Sequence, residues 1–217
     1  MRKLIFSSVF GMKANYRPFN IPGWDKIVYT DDLNKTKVSG DWKLIKVDKK
    51  HEDPRRANRY YKWYIQELFK DKYDYVLYID SKNQLKNNKH TYEKVESLYK
   101  EIEKKNEEYI GLFFKHPHRN CVYDECNVVQ DRNDTKQNVD KIRKILNDNK
   151  FERQRGLTEN NIFIVKVKHP MSKIFAQEMW KHQLLCKRDQ TFFMYIIKKL
   201  GIKILIKPHN EKIMLYI

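Results

Sequence analysis

Runs of β-branched and aromatic residues at 4–9, 24–32, 75–79, 109–114, 162–167 and 202–206 predict short buried strands. Residues 42–47 instead alternate apolar and polar, as expected of a strand with one exposed face. Between these runs the pattern turns helical. Asp53-Pro54 supplies an N-cap and a first helical residue, and Ala57, Tyr60, Tyr61, Tyr64, Ile65 and Leu68 mark an apolar face to about residue 70. Residues 90–106 and 136–150 are charged and read as surface helices. A helix from His169-Pro170 carries Ile174, Phe175, Met179 and Trp180 on its apolar face. Another, over 192–200, is opened by Arg188-Asp189-Gln190-Thr191 and closed by Gly201. Residues 115–126 read as a polar loop, and a short apolar tail ends the chain. Strands alternating with helices predict one α/β domain over residues 1–217, with a mixed, mainly parallel sheet flanked by helices on both faces.

The strand ends carry the chemistry. In Tyr75-Val76-Leu77-Tyr78-Ile79-Asp80-Ser81-Lys82 a buried run delivers Asp80 to a strand tip, where open α/β sheets bind ligands. A lone acid there serves a turn cap equally well. Ser7, Ser8, Asp31, Asp32, His116 and Glu159 fall at or near other strand ends. A right-handed parallel crossover through the helix at 53–70 brings Arg55, Arg56 and Arg59 to the edge that holds Asp80, with Lys62 one turn further on. Carboxylates for ribose or metal beside arginines for phosphate suit a nucleotide with a diphosphate.

At 217 residues the chain buries a sizeable core without disulfides. Its formal net charge of +17 predicts attraction to polyanions, phosphorylated small molecules or anionic membranes, without choosing among them. A coding bias toward Lys, Asn and Ile would produce part of that charge. A nucleic-acid-binding domain is the alternative the charge raises, but no binding motif accompanies it and the tyrosines fall largely on apolar faces. The apolar run after Arg2-Lys3 is too short for a transmembrane span and lacks a signal-peptide cleavage site. Three cysteines, Cys121, Cys126 and Cys186, with no CxxC pair, point to a reducing compartment, hence a cytoplasmic protein. With His116 and His118 they match no common zinc spacing.

The block Tyr75 to Leu85 resembles the strand and turn of GT-A fold glycosyltransferases, nearest to the plant mucilage-related glycosyltransferase-like family. Further blocks agree in order: Arg56 to Lys62, His116-Pro117-His118-Arg119 to Glu125, Gly156-Leu157-Thr158-Glu159, and Arg188-Asp189-Gln190-Thr191-Phe192-Phe193. Similar compact sugar-transfer domains occur in large algal viruses. The resemblance implies transfer of a hexosyl or deoxyhexosyl unit from a nucleoside-diphosphate sugar, a UDP-sugar among them, to a glycan or glycoconjugate hydroxyl. It also implies roles. Ser7, Phe10, Asp31 and Asp32 would contact base and ribose, and Arg56, Arg59 and Lys62 the diphosphate. His116, Arg119, Arg188 and Gln190 would hold acceptor or sugar. Asp189 would be the general base, with an N-cap as its competing role and Glu159 in reserve. Asp80 corresponds to the first acid of a D-x-D motif, but the third position here is Lys82. Either Asp80 holds Mn or Mg with water and His209, or Lys82 and the arginines neutralise the diphosphate alone. Relatives linked to ceramide hydrolysis keep a hydrolase reading in view, although no serine-nucleophile motif accompanies it.

Overall fold

The computed structural model describes residues 1–132, 134–213, 215 and 216, so Asn133 and, in the apolar tail, Met214 and Ile217 lie outside it. In chain order the elements are β1 (Lys3–Val9), β2 (Ala14–Tyr16), β3 (Trp24–Thr30), β4 (Thr36–Val38), β5 (Lys43–Lys46), α1 (Pro54–Trp63), α2 (Ile65–Phe69), β6 (Tyr75–Ile79), β7 (Gln84–Leu85) and α3 (Lys89–Glu103). There follow β8 (Tyr109–Lys115), α4 (Val122–Arg132), α5 (Lys136–Asp148), β9 (Thr158–Lys166), α6 (Ser172–Gln183), α7 (Phe193–Lys199), β10 (Lys203–Lys207) and β11 (Leu215–Tyr216).

Seven strands form one sheet in the order β10-β8-β9-β6-β1-β3-β5. All neighbours run parallel except β9, which is antiparallel to both β6 and β8. The expected mixed, mainly parallel α/β sheet is therefore present. Because side chains alternate along a strand, each strand feeds two cores. Leu4 and Phe6 of β1, with Val76 and Tyr78 of β6, face the core covered by α1, α2 and α4 to α7. Ile5 and Val9, with Tyr75, Leu77 and Ile79, face the core covered by α3.

Three local expectations are corrected. In the stretch read as a polar loop begins α4, whose buried Val122, Cys126 and Val129 recur at i, i+4 and i+7 in an otherwise polar segment. The helix expected over 53–70 divides at Tyr64, which leaves helical geometry at φ −89 and ψ 10. Beyond the break Ile65 stays buried as expected, but Leu68 is exposed and Phe69 is buried in its stead. Ile174 is also exposed, being out of phase with the buried Phe175, Met179 and His182 of α6. Cys121, Cys126 and Cys186 are free and buried, and burial pushes the Cys186 thiol up to about 11. Among the described residues no helix is long and apolar enough to cross a membrane.

Candidate active site

The crossover from β5 through α1 to β6 passes over β3 and β1, so the start of α1 lies above the carboxyl ends of the central strands. Asp53 caps it, accepting from the backbone N–H groups of Arg55 and Arg56. Arg55, Arg59 and Lys62 then share one side of the helix at i, i+4 and i+7 spacing. Asp80 follows β6 with the parity of Val76 and Tyr78, which turns it toward α1. The antiparallel run of β9 starts at the same edge and brings Glu159 there. A 3-10 turn, Asp189–Thr191, closes the site from the α6–α7 side.

These elements bring two acids and two bases together, Lys62 and Asp189 buried and Arg59 and Asp80 partly so. Lys62 Nζ lies 2.8 Å from Asp189 Oδ2 and 3.9 Å from Asp80 Oδ1, while Arg59 lies 3.3 Å from Asp80 and 3.6 Å from Asp189. The Tyr78 hydroxyl donates to Asp80 Oδ1 at 2.9 Å. Burial alone would raise the Asp189 carboxyl, but Lys62 and Arg59 together hold it down to about 2. Asp80 also sits below the usual carboxylate range: burial raises it, and Lys62 and then Arg59 outweigh that. Burial and the adjacent Arg59 draw the Lys62 ammonium down to about 8, against the pull of Asp189 and Asp80. Lys62 also rests over the rings of Trp63 and Tyr78, at 4.9 and 5.3 Å. Opposite charges so placed are locked in position, since separating either pair would leave a charge unmatched in a poorly solvated space.

Above the cluster opens a cleft of about 310 Å³, walled by Phe10, Met12 and Pro54 and carrying Arg55, Arg59, Lys82, Lys187 and Arg188 around the single carboxylate of Asp80. Phe10 is fixed by stacking on Tyr61, centroids 5.2 Å apart. Asn58 donates to the Ser8 hydroxyl at 3.0 Å and so ties α1 to β1. Lys187 pairs with Asp53 at 2.8 Å, and Arg188 pairs with the buried Glu125 at 3.1 Å. Arg55 and Lys82 have no ion-pair or hydrogen-bond partner for their side chains among the described residues. A smaller polar well of about 50 Å³ shares Arg59, Asp80, Lys82 and Arg188 with the cleft and is otherwise lined by Lys62, Asp189, Glu159, Asn160, Asn161 and Gln190.

Other expected residues go elsewhere. Ser7 has the opposite parity from Ser8. It is fully buried on the α3 side, bonded to the Tyr16 hydroxyl and the Ile79 carbonyl, and cannot touch a ligand in the cleft. Arg56 turns from the cleft to the carbonyls of Gln183 and Leu184 at the end of α6. Asp31 accepts from the Gly11 N–H, and with Asp32 it lines a separate hollow beside Lys35, Lys46 and Lys49. Arg119 shares Glu125 with Arg188, and His116 packs against Arg119. Burial and the Arg119 guanidinium lower the His116 imidazole. Gln190 is buried and donates to the Thr158 carbonyl. Arg55, Asn58, Lys187, Glu125 and Asn161 complete the surroundings. The sequence placed Arg55 at this edge; Asn58 was missed, although its i+3 spacing from Arg55 on α1 could have found it, whereas the other three come from distant segments that no local pattern joins to Asp80.

The donor set does not suit a divalent cation. Asp80 Oδ1 is engaged by Tyr78 and Arg59, Asp189 by Lys62 and Arg59, and Lys82 replaces the second acid of the motif. His209, the other expected ligand, pairs with Glu159 at 3.0 Å. Among the described residues no three His, Cys, Asp or Glu side chains converge for a metal.

These observations define an α/β protein with a cation-lined cleft at the carboxyl edge of its central strands. A family model described as TOD1/MUCI70, glycosyltransferase-like domain, matches residues 25–214, and the chain belongs to that family. Comparison with curated proteins gives no match. Among solved structures, the apo form of mouse xyloside xylosyltransferase 1 aligns with a TM-score of 0.49 and 9% identity, over 95% of this chain and 82% of that one.

Proposed function

We propose that the cleft binds a nucleoside-diphosphate sugar and that the chain, as one domain, transfers its hexosyl or deoxyhexosyl unit to the hydroxyl of a glycan or glycoconjugate. One observation carries the reading: Arg55 and Lys82 are unpaired cations at the mouth of a cleft otherwise held in matched charge pairs, in a chain of glycosyltransferase-like family. The diphosphate lies against Arg55, Lys82 and Lys187, with Phe10 and Met12 as the apolar wall for the nucleoside. The sugar points into the polar well, where Asn161 and Asp80 offer hydrogen-bond partners.

The acceptor oxygen attacks the anomeric carbon as its bond to the diphosphate breaks, and the departing oxygen keeps the electron pair beside the two unpaired cations. Asp189, 1% exposed and held to about 2, is a weak proton acceptor. We assign it to positioning Arg59 and Lys62. Glu159 is the part-exposed acid of the well that touches neither Arg59 nor Lys62; its Oε2 pairs with His209 and Lys212 at 3.0 and 2.9 Å, and its Oε1 accepts from Asn161 at 2.6 Å. It receives the acceptor's proton.

The test is a thermal-shift screen of nucleoside diphosphates and their sugars, followed by transfer assays with any sugar that binds. A saturating donor should raise the midpoint by roughly 5 °C. Glu159→Gln should keep that shift and lose at least about 100-fold in turnover. Stabilisation by no member of the screen refutes the reading, and full turnover in Glu159→Gln removes Glu159 from the proton transfer.

A further inference from the structure

The side chains that meet at the cleft divide into those whose charge is spent and those whose charge is not. Arg59 and Lys62 answer Asp80 and Asp189, Lys187 answers Asp53, and Arg188 answers Glu125. The first-turn N–H groups of Arg55 and Arg56 are taken by the Asp53 carboxylate, so the start of α1 has little left to offer an anion through its backbone. What remains is Arg55 on one wall and the exposed Lys82 on the turn after Asp80, both lining the same cleft. The diphosphate of a nucleotide sugar carries one negative charge on each phosphate, which two free cations match.

A metal-dependent site has the opposite balance. It concentrates uncompensated carboxylates, so that a divalent cation is attracted first and bridges the phosphates afterwards. Here the carboxylates of Asp80 and Asp189 are already paired with cations, and the position that would add a further one is a lysine. A cation placed beside Asp80 would face Arg59, Lys62 and Lys82 at close quarters, and like charges in a poorly solvated pocket repel strongly.

We propose that this chain holds the donor diphosphate through Arg55 and Lys82 without a divalent cation. This rests on the glycosyltransferase reading of the cleft. Lys82 occupies the junction of cleft and well, where charge develops on the departing oxygen. It therefore takes the place that a metal would have in a two-acid site.

Inorganic pyrophosphate is the probe, since it presents the diphosphate without requiring the base or sugar to be known. Its binding to the full chain is measured by calorimetry at physiological salt, once in excess EDTA and once in excess magnesium chloride. Binding in EDTA is expected to be at least as tight as in magnesium chloride, because magnesium complexes pyrophosphate and neutralises part of the charge that Arg55 and Lys82 meet. Arg55→Ala and Lys82→Ala should each weaken binding by about ten-fold, as for loss of one charge-assisted contact. Both positions lie at the surface of the cleft, and circular dichroism checks that the variants are folded. Binding lost by more than about ten-fold in EDTA overturns the proposal while leaving a diphosphate site in place, and so does binding that neither substitution changes. Absence of binding in both conditions overturns the glycosyltransferase reading and this proposal with it.

Discussion

Asp189 has two neighbours that matter, and they define what it does. Its carboxylate is buried between Lys62 and Arg59, so it is a counter-ion before it is anything else. The sign of its pH dependence follows. The carboxyl is held at about 2 in the folded chain against an ordinary 3.8, so its contribution is fully present above about pH 4 and is lost as pH falls toward 2. That difference amounts to about 2 kcal/mol. Asp189→Asn should lower stability at neutral pH by about 3 kcal/mol, because Lys62 loses its nearest partner, and should flatten the acid limb. Urea titrations at stepped pH give both quantities, and an unchanged acid limb in the variant would place the pairing energy elsewhere. Part of this was legible from residue type and order: Asp80, Arg59, Lys62 and Asp189 were all candidates from the sequence, and they do converge. Their roles were not legible, because a pairing across 127 positions leaves no local trace.

At the level of elements, α1 decides which cations face the cleft. Its N-cap and proline fix where the helix begins, and the 3.6-residue period then sends Arg55 and Arg59 one way and Arg56 the other. The Arg56 guanidinium serves the end of α6, donating to the carbonyls of Gln183 and Leu184 at 3.1 and 3.3 Å. Arg56→Ala should therefore cost about 1–2 kcal/mol of stability, from two lost hydrogen bonds to a charged donor, and leave pyrophosphate affinity within about two-fold. A loss of affinity comparable to that of Arg55→Ala would return Arg56 to the cleft. Two further features of the elements were recoverable from periodicity. Alternation along β1 separates Ser8, which meets Asn58 of α1, from Ser7, which meets Tyr16 on the opposite face. The i, i+4, i+7 spacing of Val122, Cys126 and Val129 marks α4 within a polar segment. The direction of β9 was not recoverable, since an apolar run reads alike in a parallel and an antiparallel strand. Yet it is that direction which brings Glu159 to the edge of Asp80. The turn after β1 also depends on one residue: Gly11 has φ +67, and a Cβ there would lie 2.7 Å from Pro54, so no other residue lets this turn close on the start of α1.

For the whole molecule, the question is whether a net charge of +17 serves the cleft or merely surrounds it. Most of the charge has no structural tie to the site. Lys35, Lys46 and Lys49, for example, line a separate hollow with Asp31 and Asp32, and Lys144, Lys199 and Lys203 pair with acids that line neither the cleft nor the well. A diffuse field of this kind raises the encounter rate of any anion and binds polyanions by counterion release, without selecting among them. The two contributions separate by their salt dependence. A single-stranded oligonucleotide, which touches many cations at once, should lose at least about 100-fold in affinity between about 50 and about 200 mM salt. Pyrophosphate, held by two specific side chains, should lose far less over the same interval. Lys82→Ala should weaken pyrophosphate and leave the oligonucleotide unaffected, since one lysine among many contributes little to a diffuse contact. Fluorescence anisotropy of a labelled oligonucleotide, run beside the calorimetry, decides the matter. Oligonucleotide binding that resists salt and falls with Lys82 would make the cleft a nucleic-acid site, and the field of lysines around it part of the same surface.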